Sequence, residues 1–397
     1  RTTKQPLEKR SAGSTFKSSD LACNARKQKD YKKAEKLNWE KLKLYQGLPQ
    51  QLQENAKNIT GLVYYDLACY QALQGKKKAA LKNFEKAFNS GWNDYNHVKG
   101  DSDIDNLRKE KKYLEIMAKM RLDSDYLYIL QQAEGYNRTE TKPICYNESV
   151  TDTLPRFTYM NPNDSNLVQL RKHFNLDSIA GSGDEISKIK NLLYWVHNIV
   201  PHDGNSRNPE ERNTIAMVEL CKKENRGVNC RMMAQMLNEC YLAMGFKSRF
   251  ITCMPKVMIN DCHVINAVYS NTLDKWLWMD PTFNAYVTDE KGNLLGIGEV
   301  RERLRNNQPV VLNEDANWNN KNKQTKEYYL DYYMAKNLYY VTCPLQSEYN
   351  AETNYPSKKW PMYISLVPEG YSSNGKPGAT AYDSHNDSYF WQSPYQE

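Results

Sequence analysis

The pattern of apolar and polar positions divides the chain into a helical first part and a mixed second part. Residues 1–20 are polar and aperiodic and read as a loose leader. From Leu21 to about Met120 the sequence reads mostly as helix. Its clearest piece runs from Leu67 to Ala87, where Ala80, Phe84 and Ala87 recur at helical spacing and Leu67, Ala68 and Gly75 lie upstream. Small residues at such positions let two antiparallel helices approach, and Phe84 fills the groove between them. Residues 136–165, rich in Asn, Thr and Pro, mark the passage to a second domain. Beyond it Ile186, Ile189, Leu192, Leu193 and Val196 lie on one face of a helix over about Asp184–Val200. A polar loop follows from Pro201 to Asn213, then a short helix near Ile215–Lys223. In the segment from Gly227 to Met254, Met233, Met236, Leu237, Cys240, Tyr241 and Met244 recur at helical spacing until Gly245 stops the helix. Lys247–Met254 reads as a strand. Asp261–Tyr269 and Lys275–Asp280 alternate with period two around a polar turn, which predicts an antiparallel hairpin.

The last part, 318–397, begins with a tyrosine-rich run, and Leu338–Cys343 and Met362–Val367 are its expected strands. It reads as a strand-rich extension that joins or packs on the preceding sheet, with a turn-rich tail from Gly370. The expected division is therefore 1–125 and 126–397, and the expected class is α+β.

Charge and cysteine usage narrow the chemistry. No apolar run approaches the ~18–20 residues that cross a bilayer, so no membrane span is expected. The net charge of +7 comes from 54 basic against 47 acidic residues. These are scattered rather than gathered in a stripe, so no nucleic-acid partner is expected. The nine cysteines contain no C-x-x-C pair and are odd in number, so at least one is unpaired within the monomer. Cys69 and Cys240 fall on apolar helix faces as core residues. Asp101, Asp103 and Asp105 open like a calcium loop. However, Asn106 and Lys112 stand where such a loop needs glycine and glutamate, so a turn before a helix is the better reading. Neither a metal nor a cofactor is expected. A chain starting at Arg1 fits either a removed signal peptide or a trimmed sequence, and the former points to an extracytoplasmic location.

Cys230 stands at the first turn of a largely apolar helix. Unpaired backbone N–H groups and the positive end of the helix dipole favour a thiolate there. Position alone fits an inert half-buried cysteine equally well. A hairpin turn centred between Asn271 and Thr272 would place His263 opposite Asp280 on one face of the sheet. A change of one residue in loop length would separate them. The ordered set is then a thiol at a helix start, a base on one strand and a carboxylate on the next. This is the nucleophile, base and orienting group of thiol acyl-transfer enzymes. The same three residue types would suit a catalytic zinc, but a cysteine at a helix start fits covalent chemistry better. Cys262 should point to the opposite face of the sheet from His263. Trp276 and Trp278 share the face of Asp280, as packing residues or as a substrate wall. Trp195, His202 and Asn229 are the side chains considered for an oxyanion or cleft role, and His197 reads as structural or exposed.

Gly227–Cys230 opening a helix, Asp261–Val264 (DCHV) starting a strand and Trp278–Thr282 (WMDPT) ending the next resemble the transglutaminase-like superfamily, over about Leu154–Asn317. The resemblance implies a papain-like core of helices packed on an antiparallel β-sheet, with Cys230 as nucleophile, His263 as base and Asp280 as third member. The Ala80, Phe84 and Ala87 spacing resembles a tetratricopeptide-like helical module. Together these imply a thiol enzyme that cleaves, or less readily transfers, an amide bond of a peptide or peptide-containing polymer. The substrate is then a peptide or protein, and the helical module offers a docking place for a protein partner. The alternative from another class is an inactive binding or scaffold protein that keeps the triad as a relic.

Overall fold

The computed structural model describes residues 21–131, 146–148, 154–256, 261–356, 358–373 and 381–395. The leader at 1–20, Cys145, most of the 136–153 stretch and part of the tail lie outside the described residues. The chain divides into two units at Ile129–Leu130.

The first unit is helical. Its main elements are α1 (Tyr31–Gln46), α2 (Lys57–Leu73), α3 (Lys77–Asn89) and α4 (Lys111–Ser124). Helices α2 and α3 form a hairpin whose turn contains Gly75 at φ +75°, a left-handed conformation that glycine adopts without steric cost. Ala80, Phe84 and Ala87 are buried against Tyr65, Ala68, Cys69 and Ala72, as the small-residue spacing requires. Phe84 also stacks on Tyr113 with ring centroids 5.6 Å apart. The run from Asp101 becomes a 3₁₀ turn over Ser102–Leu107, with Asp101 as its cap.

The second unit is an α+β layer. Helices α5 (Ser165–His173), α6 (Glu185–Ile199), α7 (Thr214–Glu224) and α8 (Cys230–Ala243) precede strands β1 (Ser248–Met254), β2 (His263–Ser270) and β3 (Lys275–Met279). A further helix, α9 (Ile297–Arg305), precedes β4 (Tyr340–Pro344), β5 (Tyr363–Leu366) and β6 (Ala381–Ser384). One sheet orders these strands β6-β5-β4-β1-β2-β3. Among the described residues of this sheet, only the β5–β6 pair is parallel. The C-terminal strands therefore complete the central sheet, and the turn-rich tail contributes the edge strand β6.

Helix α8 is the hub of the core. Residues Met232 to Ala243 are all buried, and the helix packs on the sheet through Ala234 against Phe250 and Val264. Met232, Met233, Met236, Leu237 and Cys240 share a core with Leu192, Leu193, Val196, Val268, Leu277 and Met279. Burying such side chains contributes about 1.5–3 kcal/mol each, which fixes the axis of α8 and hence the position of its first residue. Glu239, buried on the same helix, accepts from the Thr214 N–H at 2.7 Å and the Asn350 N–H at 2.9 Å. It thus ties α7 and the 350 loop to α8.

The β2–β3 register differs from the expectation. Ser270 pairs with Lys275 and Ala267 with Trp278, so four residues rather than two form the turn. The cause is distant: Glu185, at the start of α6, accepts from the Asn271 and Thr272 N–H groups, both at 2.7 Å, and so shapes a wider turn. The displacement is even, so face assignments survive. His263 and Asp280 stay on one side but are diagonal rather than opposite.

Candidate active site

Cys230 is the first helical residue of α8. Asn229 caps the helix, its Oδ1 accepting from the Met232 N–H at 3.1 Å, an interaction that contributes about 1 kcal/mol. The N–H groups of the first turn lack intrahelical acceptors, so the sulfur sits where partial positive charge gathers. Burial pushes the thiol pKa up, but hydrogen bonding to His202 and His263 outweighs it and brings the value down to about 6. Two histidines therefore serve one sulfur.

His263 opens β2 and is 1 % exposed. Its Nε2 donates to Asp280 Oδ2 at 2.7 Å. The other ring nitrogen, Nδ1, is buried without a hydrogen-bond partner, and the Cys230 thiol is a further group that interacts with the ring. Burial lowers the imidazole pKa, but the Asp280 charge and hydrogen bond together with Cys230 raise it to about 10. A thiolate with a pKa near 6 beside an imidazolium with a pKa near 10 is an ion pair across neutral pH.

Asp280 is fully buried and well served. Besides His263 it accepts from Tyr329 OH at 2.6 Å and from the Thr282 N–H at 2.9 Å. Tyr329 OH in turn accepts from Trp278 Nε1 at 3.2 Å. Tyr329 belongs to a helix that runs Lys326–Tyr328, widens to a π-helical turn over Tyr329–Met334 and resumes as Ala335–Asn337. The wider turn brings both Tyr329 and Tyr333 towards the site, and the Tyr333 ring lies 5.1 Å from that of His263. Such turns often occur at functional sites. Nothing in the tyrosine-rich sequence distinguishes Tyr329 from its neighbours.

His202 reaches the site from the loop after α6. Its segment pairs with the chain just ahead of Cys230: Val228 N–H donates to Pro201 O at 3.1 Å and Asp203 N–H to Val228 O at 2.8 Å. Gly227 makes this possible, because a Cβ there would lie 2.3 Å from Pro201 O. Next to the thiol, Arg231 binds Glu352, which also accepts from Gln235 Nε2 at 2.7 Å and from Tyr363 OH. These partners hold Glu352 below the usual carboxylate range against the effect of burial. The network anchors the first turn of α8 to the 350 loop.

The remaining candidates are engaged with other partners. Trp195 packs edge-on against Phe174, 5.0 Å between centroids, at the margin of the helical core. Asn229 is occupied as the cap and by a bond to Asn208 Oδ1 at 2.6 Å. Trp278 is fully buried and Trp276 is 5 % exposed. Trp276 stacks on the Arg249 guanidinium at 4.2 Å, and its Nε1 donates to the backbone carbonyls of Trp391 and Gln392. Trp278 therefore has no surface to offer a substrate, and Trp276 offers only a small edge, at a cavity it lines with Tyr269, Arg301 and Trp391. His197 is buried, with Nδ1 donating to Pro281 O at 2.9 Å. Cys262 packs on Met254, Tyr339, Tyr340 and Val367. Among the described residues the one group with metal-ligand spacing is Cys69, Asp101 and Asp103. There Tyr65 OH already donates to Asp101, and Arg26 pairs with Asp103.

The comparisons with known proteins bear on the same segment. Residues 172–281 match the family model of the transglutaminase-like superfamily. That stretch runs from the end of α5 to just past Asp280 and includes His202, Cys230 and His263. Among solved structures, a proposed cysteine protease from Cytophaga hutchinsonii aligns at 16% identity. The alignment covers 37% of this chain and 46% of that one, less than half its length, with a TM-score of 0.24. No curated protein matches the chain. No helix among the described residues is long and apolar enough to cross a membrane.

Proposed function

We propose that the chain is a thiol acyl-transfer enzyme of the transglutaminase-like class, cleaving an amide bond of a peptide or peptide-containing polymer. One observation carries this reading: the buried His263 imidazole is hydrogen-bonded to the buried Asp280 carboxylate and acts on the Cys230 thiol at the start of α8, bringing its pKa down to about 6. A relic would have no need to keep the imidazole aligned with both.

In the proposed cycle the Cys230 thiolate attacks the carbonyl carbon, and the oxygen becomes an oxyanion. The Cys230 backbone N–H and His202 supply donors for it, each such donor being worth roughly 2.7–4 kcal/mol in known cases. Collapse breaks the C–N bond, and the His263 proton passes to the leaving amine. Water, deprotonated by His263, then attacks the thioester; the acid leaves and the thiol is restored. An amine in place of water would give transfer instead. Asp280 holds the imidazole in register and stabilises its charged form. The helical unit, with its tetratricopeptide-like hairpin, would hold a substrate or protein partner.

The test is trapping with hydroxylamine. Incubation with a mixed peptide library should give peptidyl hydroxamates with the wild-type protein and none with Cys230→Ala. Equal hydroxamate from both proteins, or none from the wild type, would refute the reading.

A further inference from the structure

Trp318 stands against the Nδ1 side of the His202 ring. It belongs to a short strand pair in which Asn317 and Trp318 face Asn322 and Lys323. The indole Nε1 donates to His202 Nδ1 at 3.0 Å. The next residue, Asn319, clamps the His202 backbone from both ends. Its Oδ1 accepts from the His202 N–H at 2.8 Å, and its Nδ2 donates to the His202 carbonyl at 2.9 Å. Position and ring rotation are thus both fixed by residues more than a hundred positions away.

The direction of the Trp318 bond decides the ring's chemistry. An indole nitrogen can only donate, so Nδ1 must offer its lone pair, which assigns the ring proton to Nε2. Nε2 is thus the nitrogen left to face the Cys230 thiol: the backbone of His202 pairs with Val228, two residues ahead of Cys230, and His202 lowers the thiol's pKa. We propose that Trp318 is a positioning residue that locks His202 as an Nε2–H donor aimed at the sulfur and at the oxyanion formed beside it. The lock divides labour between the two histidines. His263, backed by a carboxylate that accepts, carries and delivers the proton. His202, backed by an indole that donates, cannot take the thiol proton on Nε2 and serves only as a donor. A comparable use of a neutral imidazole as electrophile is known in triosephosphate isomerase.

The catalytic consequence rests on the thiol-enzyme reading, but the position of the proton does not, so the two are tested separately. In protein labelled with ¹⁵N-histidine, ring correlation spectra at pH 7 should place the His202 proton on Nε2. A proton on Nδ1 overturns the proposal outright, whatever the protein catalyses. The second measurement compares two reactions of Cys230: acylation by p-nitrophenyl acetate, which forms an oxyanion, and exchange with a small disulfide, which does not. Their ratio cancels any change in thiolate fraction. In Trp318→Phe the ratio should fall about tenfold, less than the ~10²–10³ lost when an oxyanion donor is removed altogether, and the His202 signals should show mixed tautomers. A purely structural role would slow both reactions alike. An unchanged ratio, with the tautomer released, would remove Trp318 from the mechanism. A wild-type protein that exchanges disulfide but never acylates would sink the enzyme reading while the Nε2–H signal stood.

Discussion

The ionisation of Cys230 can be tested without knowing the substrate, through the pH dependence of its exchange with a small disulfide. Only the thiolate attacks. With a pKa of about 6 in place of the ordinary 9.0, Cys230 at pH 5 is about 9% thiolate, against about 0.01% for an ordinary thiol. The lower pKa also costs nucleophilicity. With a Brønsted coefficient of roughly 0.45 the loss is about twentyfold, leaving a net advantage of about fortyfold at pH 5 and none at pH 8. Partial burial would slow both rates equally, so the ratio within one cysteine is the better measure. Between pH 8 and pH 5 Cys230 should slow by about elevenfold, and an ordinary thiol by about nine-hundredfold.

The assay is quenched labelling followed by mass spectrometry of the Cys230 peptide. This separates it from Cys23, which is exposed, and Cys262, which is half-buried. His263→Ala and His202→Ala should each move the midpoint up, since both side chains lower the thiol pKa. A Cys230 profile that falls by several hundredfold between pH 8 and pH 5 would mean that burial wins over the two imidazoles. The ion pair, and the mechanism built on it, would then be wrong.

Other perturbations probe different parts of the same structure. Gly227→Ala forces a Cβ against Pro201 O, so the His202 loop must move away; Cys230 labelling at pH 5 should slow several-fold, and an unchanged rate would show that His202 does not act on the thiol. Folded-state His263 is raised from 6.5 to about 10 and Cys230 lowered from 9.0 to about 6. The first effect stabilises fully below pH 6.5 and is lost as pH rises through 10; the second stabilises above pH 9 and is lost as pH falls through 6. Between 6.5 and 9 their slopes cancel, so Cys230→Ser should expose a fall in stability with rising pH just above 6.5, at up to ~1.4 kcal/mol per pH unit relative to wild type in urea melts; parallel wild-type and variant curves would refute the pairing. Tyr329→Phe removes a donor to Asp280 and leaves the buried Trp278 indole unpaired, which should cost about 1–3 kcal/mol of stability in the same melts. In the helical unit, Phe84→Ala should cost about 3–5 kcal/mol by circular dichroism, because the ring is 1 % exposed and packed between Tyr65 and Tyr113.

What could be read in the sequence was what local pattern controls. The apolar period of α8 and the stop at Gly245 placed Cys230 at a helix start, and the alternation in β2 and β3 set the faces of His263 and Asp280. The turn length was not local: Glu185, 86 residues from Asn271, shapes it. The pairing expectation was therefore displaced, yet it kept the correct face because the displacement was even. Tyr329 and Trp318 were hidden for the same reason. Each acts through hydrogen bonds across a long sequence separation, and neither composition nor period marks it. Edge strand β6 escaped notice because its segment is turn-rich and its parallel partner is needed to define it.

The two histidines show how such distant partners assign function. Both rings meet the same sulfur, so their roles are set by what stands behind them. Behind His263 is an acceptor, Asp280, itself held by Tyr329 and Thr282; a proton on Nε2 is stabilised there, and the ring can gain a second proton facing the thiolate. Behind His202 is a donor, and a second proton on Nδ1 would have to break the Trp318 bond. Exchanging these backing groups would leave the same residues around the sulfur, yet the ring meant to deliver a proton would be poorly able to hold one. The ring meant only to donate would compete for the thiol's. The chemistry of the site is therefore encoded as much in the direction of two hydrogen bonds as in the identity of its three principal side chains.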